Sequence, residues 1–119
     1  MAAGERSNSL IPTYAEFWPY YLREHSRPAT RAIHLVGTGT AVCCVLAGLV
    51  SEAFWTLPLA LIAGYGPAWF AHYFVEKNRP ATFTYPLWSL ASDFKMAFFW
   101  IAGRLQSELE RAGVHDEGR

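Results

Sequence analysis

The chain has 119 residues, ten Lys and Arg against ten Asp and Glu, and is 52% apolar and 16% aromatic, with a mean hydropathy of only +0.09. That length holds one domain. Zero net charge without a basic block argues against a nucleic-acid binder, and the aromatic and aliphatic content excludes disorder.

The position of the charges is more informative than their sum. There is no Asp, Glu, Lys or Arg between Arg31 and Glu52, and none between Glu52 and Glu76. The first dozen residues are polar and predict a frayed start with no cleavable signal peptide. Thr13-Tyr-Ala-Glu16 reads as a capping box opening an interfacial helix over 13–25, in which Phe17, Trp18, Tyr20 and Tyr21 face the membrane edge and Pro19 introduces a bend. His25-Ser-Arg-Pro28 ends it, and Pro28 suits the first turn of the next helix.

Two charge-poor stretches follow, 28–50 and 57–76, each close to the roughly 20 apolar residues that cross a bilayer. A soluble helix of that length would show a polar face, and these do not. The second is expected to begin near Pro58, to kink at Pro67 and to close at Asn78-Arg-Pro80. Cys43 and Cys44 are adjacent in the first stretch and point about 100° apart on a helix, so they predict small apolar-facing residues rather than a bridge.

From Pro86, residues Leu87, Leu90, Phe94, Phe98, Ile101, Leu105 and Leu109 recur at spacings of three and four, which predicts a third helix over 86–112 with one apolar face packed on the hairpin. Asp93 and Lys95 interrupt other faces, and Asp93 is expected to pair with Arg79 or Lys95 or to serve the function. Gly113 marks the helix end, and 113–119 reads as a loose tail.

Arg23, Arg27 and Arg31 precede the first stretch, and Lys77 and Arg79 follow the second, which places both on the cytoplasmic side. Trp18, Tyr20, Tyr21, Trp55, Trp69 and Tyr73 near the ends would form an aromatic belt. The expected fold is therefore all-α: a small integral membrane bundle with an antiparallel transmembrane hairpin, a third amphipathic helix and an N-terminal interfacial helix.

His34 and His72 lie at equal distances from a turn at residue 53, so an antiparallel hairpin puts both imidazoles at one depth. Gly37 and Ala41 on one helix, and Gly64 and Ala68 on the other, are small-residue pairs that would let the backbones approach. Glu76 follows His72 at i+4 on the same face, and the break at Pro28 lets His25 fold back toward His34. His25, His34, His72 and Glu76 thus predict a metal site at the membrane edge, with N and O ligands that suit Fe(II), Zn(II) or Mn(II). The plain alternative is that each histidine is an interfacial hydrogen bonder, and that Glu76 pairs with Lys77 or Arg79.

Two stretches carry a resemblance. His25-Ser-Arg-Pro-Ala-Thr-Arg-Ala-Ile-His34 and Ala68-Trp-Phe-Ala-His-Tyr-Phe-Val-Glu-Lys-Asn-Arg-Pro-Ala81 resemble the two signatures of a membrane family first described as a domain of unknown function. Its fungal member is an endoplasmic-reticulum Fe(II)-dependent dioxygenase of 2-hydroxy fatty acids. The resemblance covers most of residues 14 to 105 and implies metal ligation by His25, His34 and His72, with Glu76 as a fourth ligand or a base. Ser26 stands where the fungal pattern has a second His, and a further mid-chain His of that pattern has no counterpart. The chain looks more like the short bacterial branch, which points to an inner membrane rather than the endoplasmic reticulum.

The resemblance implies oxidation of a 2-hydroxy fatty acid by O₂, with CO₂ released and a fatty acid one carbon shorter. Arg27, Arg31 or Arg79 would orient the carboxylate. Membrane lipid and the fatty-acyl substrate are the expected partners. A non-enzymatic lipid-binding or structural membrane protein, and a zinc hydrolase at the same residues, are the alternatives.

Overall fold

The computed structural model describes residues 10–115. The expected frayed start over 1–9 and the last four tail residues, 116–119, lie outside the described residues. Five α-helices, with a π-helical and a 3-10 segment, make up the regular structure there, and no strand occurs among the described residues. We label them α1 (Tyr14–Arg23), α2 (Pro28–Ser51), α3 (Thr56–Phe70), α4 (Pro86–Ile101) and α5 (Leu105–Arg111).

α1 starts where its capping residues dictate. The Thr13 hydroxyl oxygen accepts the Glu16 N–H, while the Glu16 carboxylate accepts from the Thr13 hydroxyl rather than from the backbone. Pro19 sits inside this helix. The expected facing of three of its rings is corrected: Phe17, Trp18 and Tyr21, with Leu22, are buried in the main apolar core with Met96, Leu105 and Leu109. Packing against α4 and α5 gives these aromatic rings more contact than a membrane surface offers, so the expected belt loses Trp18 and Tyr21 to the interior.

α2 and α3 form the antiparallel hairpin. Gly37 lies so close to the facing backbone that a Cβ there would stand 3.1 Å from the Ala63 carbonyl oxygen and 3.2 Å from that of Gly64. A Cβ on Gly64 would in turn touch the Ala41 side chain, so the small-residue pairs do set the helix approach. The turn closes with Glu52 in the left-handed region, and Gly48 leaves room there for the Thr56 side chain. By length and composition α2 can cross a membrane; α3 is a 15-residue α-helix that passes at Ala71 into the π-helical segment Ala71–Glu76.

The single helix expected over 86–112 is two. Gly103, at a positive φ, ends α4 through an Arg104 N–H to Phe99 carbonyl bond of 2.8 Å, and α5 restarts at Leu105. The face that α4 turns inward also differs from expectation. Ser89, Ser92, Asp93 and Met96 are buried, whereas Leu87 and Ile101 are 79% and 77% exposed and Phe94 and Phe98 also face outward. The apolar stripe is thus the outer surface, and the inner polar groups are satisfied: Ser92 by the Tyr14 hydroxyl and Ser89 by that of Thr82. Val114, expected in a loose tail, is buried, and its N–H bonds the Leu109 carbonyl.

Candidate metal centre

Four segments meet at the open end of the hairpin: the end of α1, the first turns of α2, the π-helical segment and the middle of α4. His25, in the α1–α2 connection, is brought back over α2 by the break at Pro28. Its ring lies 4.7 Å from that of His34 and 4.5 Å from that of His72, centroid to centroid. All three imidazoles are buried, at 1%, 4% and 2% exposure. One ring nitrogen of each lies within 4.8 Å of the other two, so the group could hold a metal ion.

The hydrogen bonds fix which nitrogen of each ring is anchored and which is left as a donor. His25 Nδ1–H donates to the Tyr21 carbonyl at 2.7 Å, which leaves Nε2 as the lone-pair atom. Asn78 donates its amide N–H groups to the Glu24 carbonyl and carboxylate, so its Oδ1 accepts from His72 Nδ1–H at 2.7 Å and His72 also presents Nε2. These two Nε2 atoms face each other at 3.1 Å. His34 is reversed: Nε2–H donates to Asp93 Oδ1 at 2.6 Å, and Nδ1 is buried with no hydrogen-bond partner. Three buried imidazoles, each anchored through one ring nitrogen and presenting the other as a donor, could hold a divalent transition metal.

Electrostatics favour that state. Burial, followed by the neighbouring rings of His34 and His72, pushes the His25 imidazole well below its usual range and keeps it neutral. Burial and the Asp93 charge push the Tyr21 phenol well above its usual range, so its O–H remains to donate to Asp93 Oδ1 at 2.6 Å. Tyr21 therefore serves two ligands, His25 through its carbonyl and His34 through Asp93.

Glu76, expected as a ligand, is placed elsewhere. Its carboxylate accepts from the Ser26 N–H and hydroxyl, the Arg27 N–H at 3.0 Å and the Thr30 hydroxyl at 2.7 Å. Those donors cluster at the N-terminus of α2, whose partial positive charge suits a carboxylate, so Glu76 braces that helix and is corrected as a metal ligand or base. Asp93, expected to pair with Arg79 or Lys95, pairs with His34 and Tyr21, because Lys95 points to the Trp18 ring at 4.4 Å and Arg79 to that of Phe83. Arg31 is buried and donates to the carbonyls of His25 and Ser26, which pins the connection that carries His25. Arg27 and Arg79 are exposed.

Three anchoring residues, Tyr21, Asn78 and Asp93, were not placed in the site from sequence. Asp93 carried a signal, an acid in an apolar segment. Asn78 carried a weaker one, its place after the His72 helix. Tyr21 acts through its backbone carbonyl and through its phenol to Asp93, and its place in an aromatic run pointed to an interfacial role instead.

The described residues are thus all-helical around a buried tri-histidine group, each ring held by its own acceptor, that could hold a metal ion. The family described as 2-hydroxy-palmitic acid dioxygenase Mpo1-like matches residues 11–105, and the chain belongs to it. Neither a curated protein nor a solved structure matches the chain.

Proposed function

We propose that the protein is a membrane-embedded Fe(II) dioxygenase that converts a 2-hydroxy fatty acid and O₂ to the fatty acid one carbon shorter, CO₂ and water. The observation that carries this reading is the buried trio of His25, His34 and His72, whose ligand atoms lie within 4.8 Å of one another, with His34 Nδ1 left without a hydrogen-bond partner. An orphaned buried nitrogen costs about 1–3 kcal/mol and is retained here inside a ready donor set. Iron would supply O₂ activation and a Lewis-acidic contact for the substrate. The chain's own residues supply the rest. Tyr21, Asn78 and Asp93 hold the imidazoles in their tautomers, and the closed packing around the rings excludes bulk water. Arg27 and Arg79, exposed at the site's edge, draw the substrate carboxylate toward it.

The membrane reading extends to two spans. Residues 56–76 run on from α3 through the π-helical segment as one helical stretch of about 30 Å, the thickness of a hydrocarbon core. α2 lies antiparallel to it, and the outward faces of α2, α3 and α4 are apolar. The site then lies at the cytoplasmic edge of a multi-pass protein, which we assign to a bacterial inner membrane.

Oxygen uptake by the purified protein with 2-hydroxypalmitate, with and without added Fe(II), tests the reading. Iron-dependent uptake, abolished in His34→Ala and His72→Ala together with iron binding, is the expected result. Stoichiometric iron in both variants would remove the site as drawn. Activity with Zn(II) on an ester or amide instead would make the protein a hydrolase, and metal-free protein indifferent to both substitutions would make it a structural or lipid-binding module.

A further inference from the structure

A groove of about 380 Å³ runs between α2, α3 and α4, within the range of about 300–1,000 Å³ typical of small-molecule sites. Its walls are Val42, Leu46, Leu61, Leu90 and Phe94, all of them partly open to the outer apolar surface. Its polar residues, Thr38, Tyr65 and Asp93, gather at the end nearest the imidazoles. Asp93 is the hydrogen-bond partner of His34, so the groove leads from the lipid-facing surface to the immediate support of the metal centre. The rings themselves are almost wholly closed to water.

Dimensions and charge select the occupant. Residues 38–46 of α2 extend about 12 Å at 1.5 Å per residue, and the groove along them has apolar walls open to the outer surface and polar groups only at its inner end, the layout of a seat for one acyl chain with a polar head. At the inner end, both hydrogen bonds to Asp93 fall on Oδ1, and no donor among the described residues reaches Oδ2. A carboxylate in that position favours a hydroxyl that can donate to it and repels a bare anion set against it.

We propose that this groove seats one acyl chain bearing a hydroxyl beside its head group, and that Asp93 selects for that hydroxyl by accepting its proton in a hydrogen bond. The choice of a 2-hydroxy acid as the ligand rests on the function proposed above. An unsubstituted fatty acid brings Asp93 only a like charge. The 2-hydroxy acid brings a donor, and the Thr38 and Tyr65 hydroxyls offer donors to its carboxylate. The apolar tail lies along Val42 and Leu46 toward the hairpin turn.

The test uses the full chain in phosphatidylcholine vesicles without added iron, and two photo-crosslinking probes. One is 2-hydroxypalmitate with a diazirine near its ω end; the other is the same probe without the hydroxyl. Crosslinks should fall on peptides containing Val42–Leu46 and Ala60–Leu61, and the hydroxyl-free probe should need about tenfold more concentration, the worth of one charge-assisted hydrogen bond. Val42→Trp, at the groove's rim, should lose the label while still binding Co(II), and Asp93→Ala should erase the difference between the probes. Labelling centred on Trp100–Leu109 would overturn the groove, and equal labelling by both probes in the wild type would overturn the role of Asp93. O₂ consumption with label outside the groove would leave the dioxygenase reading standing without this proposal. Groove labelling in a protein that consumes no O₂ with Fe(II) would support the acyl seat and remove the dioxygenase reading.

Discussion

At the scale of single residues, the centre depends as much on the groups behind the imidazoles as on the rings. Asp93 and Asn78 fix the tautomers of His34 and His72. Removing the partner behind a ligating histidine commonly costs about 10–100-fold in metal affinity. Asp93→Ala and Asn78→Ala should each weaken Co(II) binding by that order while the protein stays folded, as read by titration of the Co(II) absorption band. Unchanged affinity in both would show that the anchors do not matter. His25 sets the acid limit. Its folded imidazole titrates well below the ordinary range, whereas in the unfolded chain it titrates near about 6.5. The folded protein therefore binds fewer protons than the unfolded one in that window, so His25 contributes fully above the unfolded value and its contribution falls as pH drops toward the folded one. Denaturant unfolding of metal-free protein should show stability declining from pH 7.5 to pH 5, and His25→Gln should flatten that slope.

At the scale of elements, the position of Glu76 separates a brace from a ligand. Its carboxylate serves the first turn of α2, where the backbone N–H groups have no partners within the helix. Glu76→Ala should therefore lower stability by about 0.5–2 kcal/mol, the usual worth of a helix N-terminal cap, and leave one metal ion bound per chain. Loss of the metal with retained fold would return Glu76 to the coordination sphere. The i, i+4 spacing correctly puts His72 and Glu76 on the same side of their helix; it does not say that the N-terminus of α2 lies opposite the second of them. The inverted face of α4 has a related cause. Periodicity locates an apolar stripe but not the medium it faces, and in this molecule small polar residues face the partner helices while Leu87, Phe94 and Phe98 face outward.

At the scale of the whole molecule, an apolar core beneath α1 and a polar cluster at the open end of the hairpin share one bundle whose outer faces are apolar, and bound metal should stabilise the fold. At about 100 times its dissociation constant, a ligand specific for the folded state adds about 2.7 kcal/mol. Chelator treatment should lower the Tm in detergent, and Fe(II) or Co(II) should restore it; a Tm indifferent to both would argue against a structural contribution from the metal. Much of this organisation was legible in sequence. The hairpin, the meeting of His34 with His72 and the return of His25 follow from the gap in charge, the equal spacing about the turn and the break at Pro28. The burial of Trp18 and Tyr21 and the bond from the Tyr21 phenol to Asp93 were not legible, because each depends on a tertiary neighbour distant in the chain; the end of α4 at Gly103 is a local glycine cap, masked by an apolar periodicity that runs on to Leu109. α5 closes on α1 from the far end of the sequence, with Glu108 accepting the Trp18 indole N–H at 2.9 Å.

The widened turn at Ala71–Glu76 also sets the angular phase between the two ends of its own helix. One residue of α-helix turns the chain by about 100°. Residues up to His72 keep the phase that seats Ala68 in the hairpin seam, and residues beyond it take a second phase that aims Glu76 at α2. Deleting one residue between His72 and Glu76 would restore a regular helix, leave His72 on the seam four residues after Ala68, and turn Glu76 away from the N-terminus of α2. The chain thus holds its brace on α2 in the offset between two helical phases, which exchanging Glu76 for another acid could not recover.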